Sequence, residues 1–398
     1  MNDQFKSVLI LGRQPELGLA EIESLLGHQS VMPCGMQAAL LVPHASDIHF
    51  SRLGGSTRIC EVLAIVPTTV PEQAIHLAIP LLDKIVNSLP EGKLRLGLSY
   101  IGKGVNPRLL NYSGLSIKKT IKASGRSIRL IPNPAPELNT AQVLHNQLTG
   151  PTGIELVFIP YDDKTVIART TTVQDINAYA ARDQRRPKRD ARVGMLPPKL
   201  AQIIINLAIG PESNVKDTTI LDPFCGTGVV LQEALLTGYT AYGTDLEPRM
   251  IEYSQINLDW FTDRQHLSPE SFKLAAGDAT NFRWDMQNNT RIACETYLGR
   301  ALSSLPRPEK LAEIMQDCDT IHRKFLKNLA NQTPIGFRLC LAVPAWKTAS
   351  RIEHLKTLAN LQELGYNRLR FVHVGSNRLI YHRPDQLVAR ELVVLERI

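Results

Sequence analysis

No apolar run in this chain of 398 residues approaches the ~20 residues that a membrane-spanning helix needs. The opening stretch, Met1-Asn-Asp-Gln-Phe-Lys6, lacks the basic start and long apolar core of a secretory signal, so the sequence predicts a cytoplasmic protein. The six cysteines, Cys34, Cys60, Cys225, Cys294, Cys318 and Cys340, never fall in a C-x-x-C pair, which argues for reduced core thiols and against a metal centre. Internal repeats and low-complexity segments are absent, which excludes solenoids and disordered linkers of biased composition.

With 43% hydrophobic and 21% charged residues, the composition is that of a globular protein. The length predicts two or three domains. Positive charge is in excess, +7 overall, which favours a polyanionic partner.

Hydrophobic periodicity supplies the elements. Over residues 1–70 it predicts strands at Ser7–Leu11, Ala38–Val42 and Ile59–Ile65 and a helix at Pro15–Leu26, a ferredoxin-like α+β module. Over 71–170 it predicts helices at Glu72–Leu89, Leu115–Ser124 and Thr140–Gln147, with strands at Leu94–Tyr100, Arg126–Leu130 and Ile154–Pro160. Residues 171–195 contain the basic run Arg182-Asp-Gln-Arg-Arg-Pro-Lys-Arg-Asp-Ala-Arg192, which reads as an exposed linker. From 196 to 398, short strands alternate with helices, which predicts a mostly parallel, doubly wound α/β sheet. The tail segments Arg378–Arg383 and Ala389–Glu396, with no helix between them, should pair as an antiparallel edge.

The strongest chemical signal is Ile220-Leu-Asp-Pro-Phe-Cys-Gly-Thr-Gly-Val230, an apolar strand running into a glycine turn and then a helix. Gly226 and Gly228 allow a sharp turn and close approach of a ligand to the backbone. Position 231 is Leu231, where the dinucleotide fingerprint needs a third glycine, and no Lys-Ser/Thr follows as a P-loop would require. Asp222 either accepts from a ligand cation or orients the turn. Asp245 ends the next strand about twenty residues on, where a carboxylate can take both hydroxyls of an adenosine ribose. Asp278 follows a third strand; it either accepts from an adenine amino group or caps a turn.

The string Asp222-Pro-Phe-Cys-Gly-Thr-Gly228 with Asp245 and Gly277-Asp278 resembles the S-adenosylmethionine motifs of class I amino-methyltransferases. Leu11-Gly-Arg-Gln-Pro-Glu-Leu17 and the run from Arg182 through Pro197-Pro-Lys-Leu-Ala201 are similar to the THUMP-containing tRNA guanine-N2 methyltransferases. That resemblance implies a THUMP-like RNA-binding domain at 71–170 and a seven-stranded Rossmann-like methyltransferase domain at 196–398. It implies S-adenosylmethionine as cofactor, on Pro198, Asp222, Phe224, Gly226, Gly228, Asp245, Leu246, Asp278 and Ala279. It also implies tRNA as partner, with a small activating subunit such as some relatives use.

The family's catalytic Asp/Asn-Pro-Pro-Tyr falls here on Glu295-Thr-Tyr297, with Thr296 where a proline is expected. A delocalised exocyclic amine is a poor nucleophile. An acceptor at Glu295 would hold its N–H groups and an aromatic face at Tyr297 would stack the flipped base. Two basic clusters would neutralise phosphates: Lys118, Lys119, Lys122, Arg126 and Arg129, and then Arg185, Arg186, Lys188, Arg189 and Arg192. The leading expectation is methylation of the N2 amine of a guanine in tRNA. A DNA adenine-N6 methyltransferase and a tRNA-binding protein with an inactive methyltransferase domain are the alternatives.

Overall fold

The computed structural model describes the chain except residues 1–3, 191–195, 212–216, 301, 303, 305, 349–350 and 384–385. Arg192 of the second basic cluster therefore lies outside the described residues. The chain divides into two compact units. The first holds residues 1–19, 28–51 and 55–176, and the second holds 20–27, 52–54 and 177–398.

In the first unit the elements run β1 (Ser7–Leu11), α1 (Pro15–Leu26, whose second half groups with the other unit), β2 (Val31–Cys34), β3 (Ala38–Leu41), β4 (Ser56–Val66), α2 (Pro71–Ser88), β5 (Leu94–Tyr100), α3 (Pro107–Ala123), β6 (Ile128–Leu130), α4 (Thr140–His145), β7 (Gly153–Tyr161) and β8 (Lys164–Val173). They build one eight-stranded sheet in the order β2-β3-β1-β4-β8-β7-β5-β6. The segments 1–70 and 71–170 thus share a sheet. Strand β8 turns back from β7 at Asp162, which has φ 49°, and pairs antiparallel with both β7 and β4. The apolar faces of α2 (Ala74, Ile75, Ala78, Leu82, Val86) and α3 (Leu110, Ile117, Ile121) pack with β5 and β7.

A polar network crosses this sheet. Arg58 of β4 is 1% exposed and donates to Glu155 of β7 (2.6 Å), to Glu137 (2.7 Å) and to the Leu138 carbonyl (2.7 Å). Glu155 also accepts from Ser99 of β5 and Thr170 of β8, each at 2.6 Å. Four strands therefore meet at one carboxylate, and its neighbours hold the guanidinium charged despite burial. Breaking one partner leaves an uncompensated buried charge.

The second unit contains α5 (Ile176–Gln184), α6 (Pro198–Ile209), β9 (Thr219–Asp222), α7 (Val229–Leu236), β10 (Thr240–Asp245), α8 (Pro248–Gln265), β11 (Phe272–Ala276), β12 (Thr290–Glu295), α9 (Pro308–Ala330), β13 (Arg338–Lys347), β14 (Ile352–Glu353), β15 (Tyr366–Arg368), β16 (Ile380–Tyr381) and β17 (Val388–Arg397). Its sheet runs β11-β10-β9-β12-β13-β17-β15, with β14 paired to β13 and β16 to β17. The first five strands of that path are parallel, while β17 is antiparallel to both β13 and β15.

The tail differs from the expected edge hairpin. β16 does pair with β17, but β17 lies inside the sheet because Leu392, Val393, Val394 and Leu395 are all buried and β13 and β15 cover its two sides. Strand order reverses between β9 and β12, and in open α/β sheets ligands bind outside the carboxyl ends of the strands at such a point. Asp222, Asp245 and Glu295 are the last residues of β9, β10 and β12.

Arg58→Ala is expected to lower the unfolding free energy of the first unit by about 3–5 kcal/mol, read from denaturant titration of the full chain. A loss under about 1 kcal/mol, the level of an exposed pair, would show that the network contributes little.

Candidate active site

The glycine turn after β9 is held from two strands. The Asp222 carboxylate accepts from the Phe224 amide at 3.0 Å, folding the chain back immediately after the strand. From the end of β10, Asp245 accepts from the Gly226 amide (2.9 Å) with one oxygen and from the Glu247 amide (3.0 Å) with the other. Gly226 (φ 52°) and Gly228 (φ 83°) sit in left-handed backbone that only glycine adopts without strain, and Gly228 caps α7. A Cβ on Gly226 would meet nothing nearer than the Phe224 carbonyl at 3.9 Å, so the space before it is open to a ligand. A Cβ on Gly228 would stand 3.0 Å from the Ser254 hydroxyl of α8.

Burial pushes the Asp222 carboxyl well above the usual range, and the charges of Asp245 and Glu295 add to the shift. Asp245 is raised as well, mainly by burial, against the pull of its two amide donors. A cationic ligand group placed among these acids would reverse both shifts.

The other expected cofactor residues sit on neighbouring elements of the same unit. Leu246, directly after Asp245, exposes 64% of its surface, an apolar side chain beside a polar acceptor. The Asp278 side chain accepts from the Thr280 amide at 2.8 Å, which is turn chemistry, and Ala279 behind it is buried. Phe224 stands edge-on to Phe325 of α9 with ring centroids 5.0 Å apart. Pro198 is buried at the first turn of α6, whose Gln202 donates to Glu233 of α7 at 3.0 Å.

The described part of the basic run lies along this unit. Arg182 donates to Glu233 at 2.9 Å, and Asn257 of α8 bonds both the amide and the carbonyl of Lys188 and the carbonyl of Thr227. Arg186 is 4% exposed and donates to the Thr227 hydroxyl in the glycine turn at 3.3 Å. The buried Asp190 pairs with Arg249 at 3.0 Å. The run is thus amphipathic rather than wholly exposed: Arg185 and Arg189 face outward, whereas Arg186 and Asp190 face inward. In the first unit Lys119, Lys122 and Arg129 are exposed and Lys118 is half-buried. Arg126 instead closes the end of α2, donating to the carbonyls of Val86 (3.3 Å), Leu89 (3.5 Å) and Pro90 (2.8 Å).

The tripeptide after β12 has three different environments. The Glu295 side chain is 14% exposed and accepts from Arg390 of β17 at 2.8 Å. Burial raises its carboxyl and Arg390 pulls it back. Thr296 faces inward at 3% exposure, its amide bonded to the Ala342 carbonyl (3.0 Å) and its hydroxyl 2.6 Å from His322 Nε2 of α9. His322 Nδ1 lies 2.7 Å from the Cys318 carbonyl, which can only accept. The ring proton therefore sits on Nδ1, and the Thr296 hydroxyl donates to Nε2. Thr296 thus ties the loop to α9 and β13. Tyr297 is 36% exposed at the surface.

His322 and Arg390, which contact Thr296 and Glu295, were not singled out by sequence reading. The one signal for Arg390 is a charged residue within the apolar strand Val388-Ala-Arg-Glu-Leu-Val-Val-Leu395. A cavity of about 980 Å³ lined by Leu361, Tyr366, Arg368, Arg370 and Asn377 lies beside β15, which pairs with the far end of β17, away from Arg390.

Burial drives the pKa of His322 down to about 4 from its ordinary 6.5. Between those values the unfolded chain binds the proton and the folded chain does not. The contribution of His322 is whole above the unfolded value and is lost as pH falls toward the folded one, about 3 kcal/mol in all. His322→Gln should therefore flatten the pH dependence of stability across that window; a wild-type slope in the variant would show that His322 is not the titrating group.

Residues 185–362 match the family model UPF0020, described as RMKL-like, methyltransferase domain. The chain is 33% identical over 152 residues to the tRNA (guanine(10)-N2)-dimethyltransferase of Methanothermobacter thermautotrophicus, covering 38% of this chain and 39% of that protein. It is 29% identical over 152 residues, with the same shares, to the tRNA (guanine(10)-N2)-dimethyltransferase of Pyrococcus abyssi. The matches thus span about two-fifths of the length of these curated relatives. Among solved structures, TrmN from Thermus thermophilus superposes with a TM-score of 0.53 at 15% identity over 99% of both chains. A possible methylase from Clostridium difficile superposes with a TM-score of 0.53 at 13% identity, over 99% of this chain and 98% of the other. At those identities the likeness is one of fold.

Proposed function

We propose, from the premise that residues 185–362 are a methyltransferase domain related to those of tRNA guanine-N2 methyltransferases, that this chain transfers a methyl group from S-adenosylmethionine to the N2 amine of a guanine in tRNA. The observation that carries the reading is the set of acids at the carboxyl ends of β9, β10 and β12, arranged around an open glycine turn at the point where strand order reverses.

The residues present fit the cofactor. Asp245 offers carboxylate oxygens to ribose hydroxyls, the exposed Leu246 offers an apolar face to adenine, and the bare backbone at Gly226 admits close approach. The buried Asp222 suits an ammonium or sulfonium neighbour. When bound, the cofactor supplies an electrophilic methyl group. Glu295 would accept an N–H of the exocyclic amine, turn its lone pair toward that methyl and take the proton released as the N–C bond forms and the cofactor's S–C bond breaks, while Tyr297 would stack the base. Thr296 holds both in place through His322 and the Ala342 carbonyl. For the RNA, the proposal rests on Lys118, Lys119, Lys122, Arg129, Arg185, Lys188 and Arg189. Arg186 is set aside because it is buried, and Arg126 because it donates to the carbonyls that end α2.

The test is incubation with methyl-labelled cofactor and either total tRNA or duplex DNA, followed by identification of the labelled nucleoside. N2-methylguanosine is the expected product. Label in DNA adenine would replace the reading, and retained tRNA binding without label would reduce the chain to a scaffold. Asp245→Ala should weaken cofactor binding by about 10–100-fold, the loss of charged hydrogen bonds. Tyr297→Ala should lower turnover by about 10–100-fold through lost stacking, with cofactor affinity in calorimetry nearly unchanged. Equal losses of both in Tyr297→Ala would show that the two roles are wrongly divided.

A further inference from the structure

Glu295 is a longer acid than the Asp/Asn-Pro-Pro-Tyr pattern carries, and the rigid prolines are missing around it. An unrestrained glutamate there would sample several rotamers and lose the geometry that methyl transfer needs. The fold supplies the restraint from elsewhere. Arg390 lies on β17, and its side chain reaches to Glu295 on β12, two strands away across β13. The guanidinium is held from both sides: Nε donates to Glu295 Oε1 and Nη1 donates to Gln386, each at 2.8 Å. Among the described residues nothing bonds the second carboxylate oxygen, Oε2, which keeps some access to solvent.

A buried ion pair adds little stability over well-packed apolar residues, so its place at the ligand-binding end of the sheet calls for another role. We propose that Arg390 is a positioning residue for the methyl transfer, fixing Glu295 as an ionised acceptor with Oε1 anchored and Oε2 presented to the amine. The inference rests on the tRNA-methyltransferase reading for its substrate, but the Arg390–Glu295 relation is testable without RNA.

The groups facing Glu295 are few. Arg390 on β17 is the cation; Asp222 on β9 and the buried Cys294 thiol on its own strand are the other titratable neighbours. Burial favours the protonated acid, and Arg390 opposes it by its charge and its hydrogen bond. A protonated Glu295 would present a donor where an acceptor is needed.

The experiment compares the wild type with Arg390→Gln, Arg390→Lys, Glu295→Gln and the double variant Arg390→Gln/Glu295→Gln. Cofactor affinity is followed by calorimetry, kcat/KM as a function of pH, and protonated carboxyl by infrared spectroscopy. Arg390→Gln should cut the ratio of rates at about pH 6 and about pH 8 by about tenfold, because an opposite charge removed from a carboxylate raises its pKa by a unit or more. The same variant should show a carboxylic-acid carbonyl band near pH 6 that the double variant lacks. Arg390→Lys keeps the charge but not the fork, so its pH profile should follow the wild type while kcat falls. An Arg390→Gln profile superimposable on the wild type, with no added infrared band, would overturn the proposal. Should the wild type fail to methylate tRNA, the infrared band still decides the Arg390–Glu295 relation, and only the substrate assignment falls.

Discussion

The carboxylate of Asp245 ties the end of β10 to the amide of Gly226 in the neighbouring turn, and the geometry of the candidate site follows from that bond. It fixes the turn in a left-handed conformation that keeps side chains out of the space in front of it. The same carboxylate also takes the Glu247 amide, so the entry to α8 is set by the group that closes the turn. Helix α8 returns the constraint: Ser254 bonds the Gly226 carbonyl at 2.8 Å and Asn257 bonds that of Thr227 at 2.9 Å. Turn, strand end and helix thus form one closed circuit of hydrogen bonds, in a site where unpaired polar groups would be costly.

The loop after β12, which the proposed function makes the reaction loop, is secured by different means. Its middle residue gives its hydroxyl to a neutral histidine and its amide to a backbone carbonyl, and its acid is paired with an arginine from the last long strand. Both partners are buried. In a low-dielectric setting such bonds are directional, so a loop without rigid prolines still has few conformations open to it. The placement of β17 between β13 and β15 makes this possible, since an edge position would leave Arg390 in water.

Much of this was legible in the sequence. The Asp222 turn, the acid at Asp245 and the alternation of strands and helices after residue 196 carry strong local signals, whereas β2, β8 and α5 were not read and α3 starts eight residues earlier than periodicity placed it. The basic run at 182–190 was harder to read, because composition reports charge and not orientation. Arg185 and Arg189 are exposed, whereas Arg186 lies against Thr227. Arg126 likewise reads as a phosphate ligand by composition and serves as a helix-end clamp in the structure. The single sheet joining residues 7–66 with 94–173 was invisible for a related reason: the pairing of β4 with β8 spans about a hundred residues and leaves no periodic trace.

By itself the sequence determined most of the elements of the second unit, the glycine turn and the acids that end its strands. Each of these depends on neighbours a few positions apart, whose geometry the backbone dictates. Only the tertiary structure decided which side chains meet at the reaction loop. His322 lies 26 residues from Thr296 and Arg390 lies 95 from Glu295. Contacts at that range are set by the order in which strands lie side by side, and that order follows from burying every apolar face at once rather than from any local pattern.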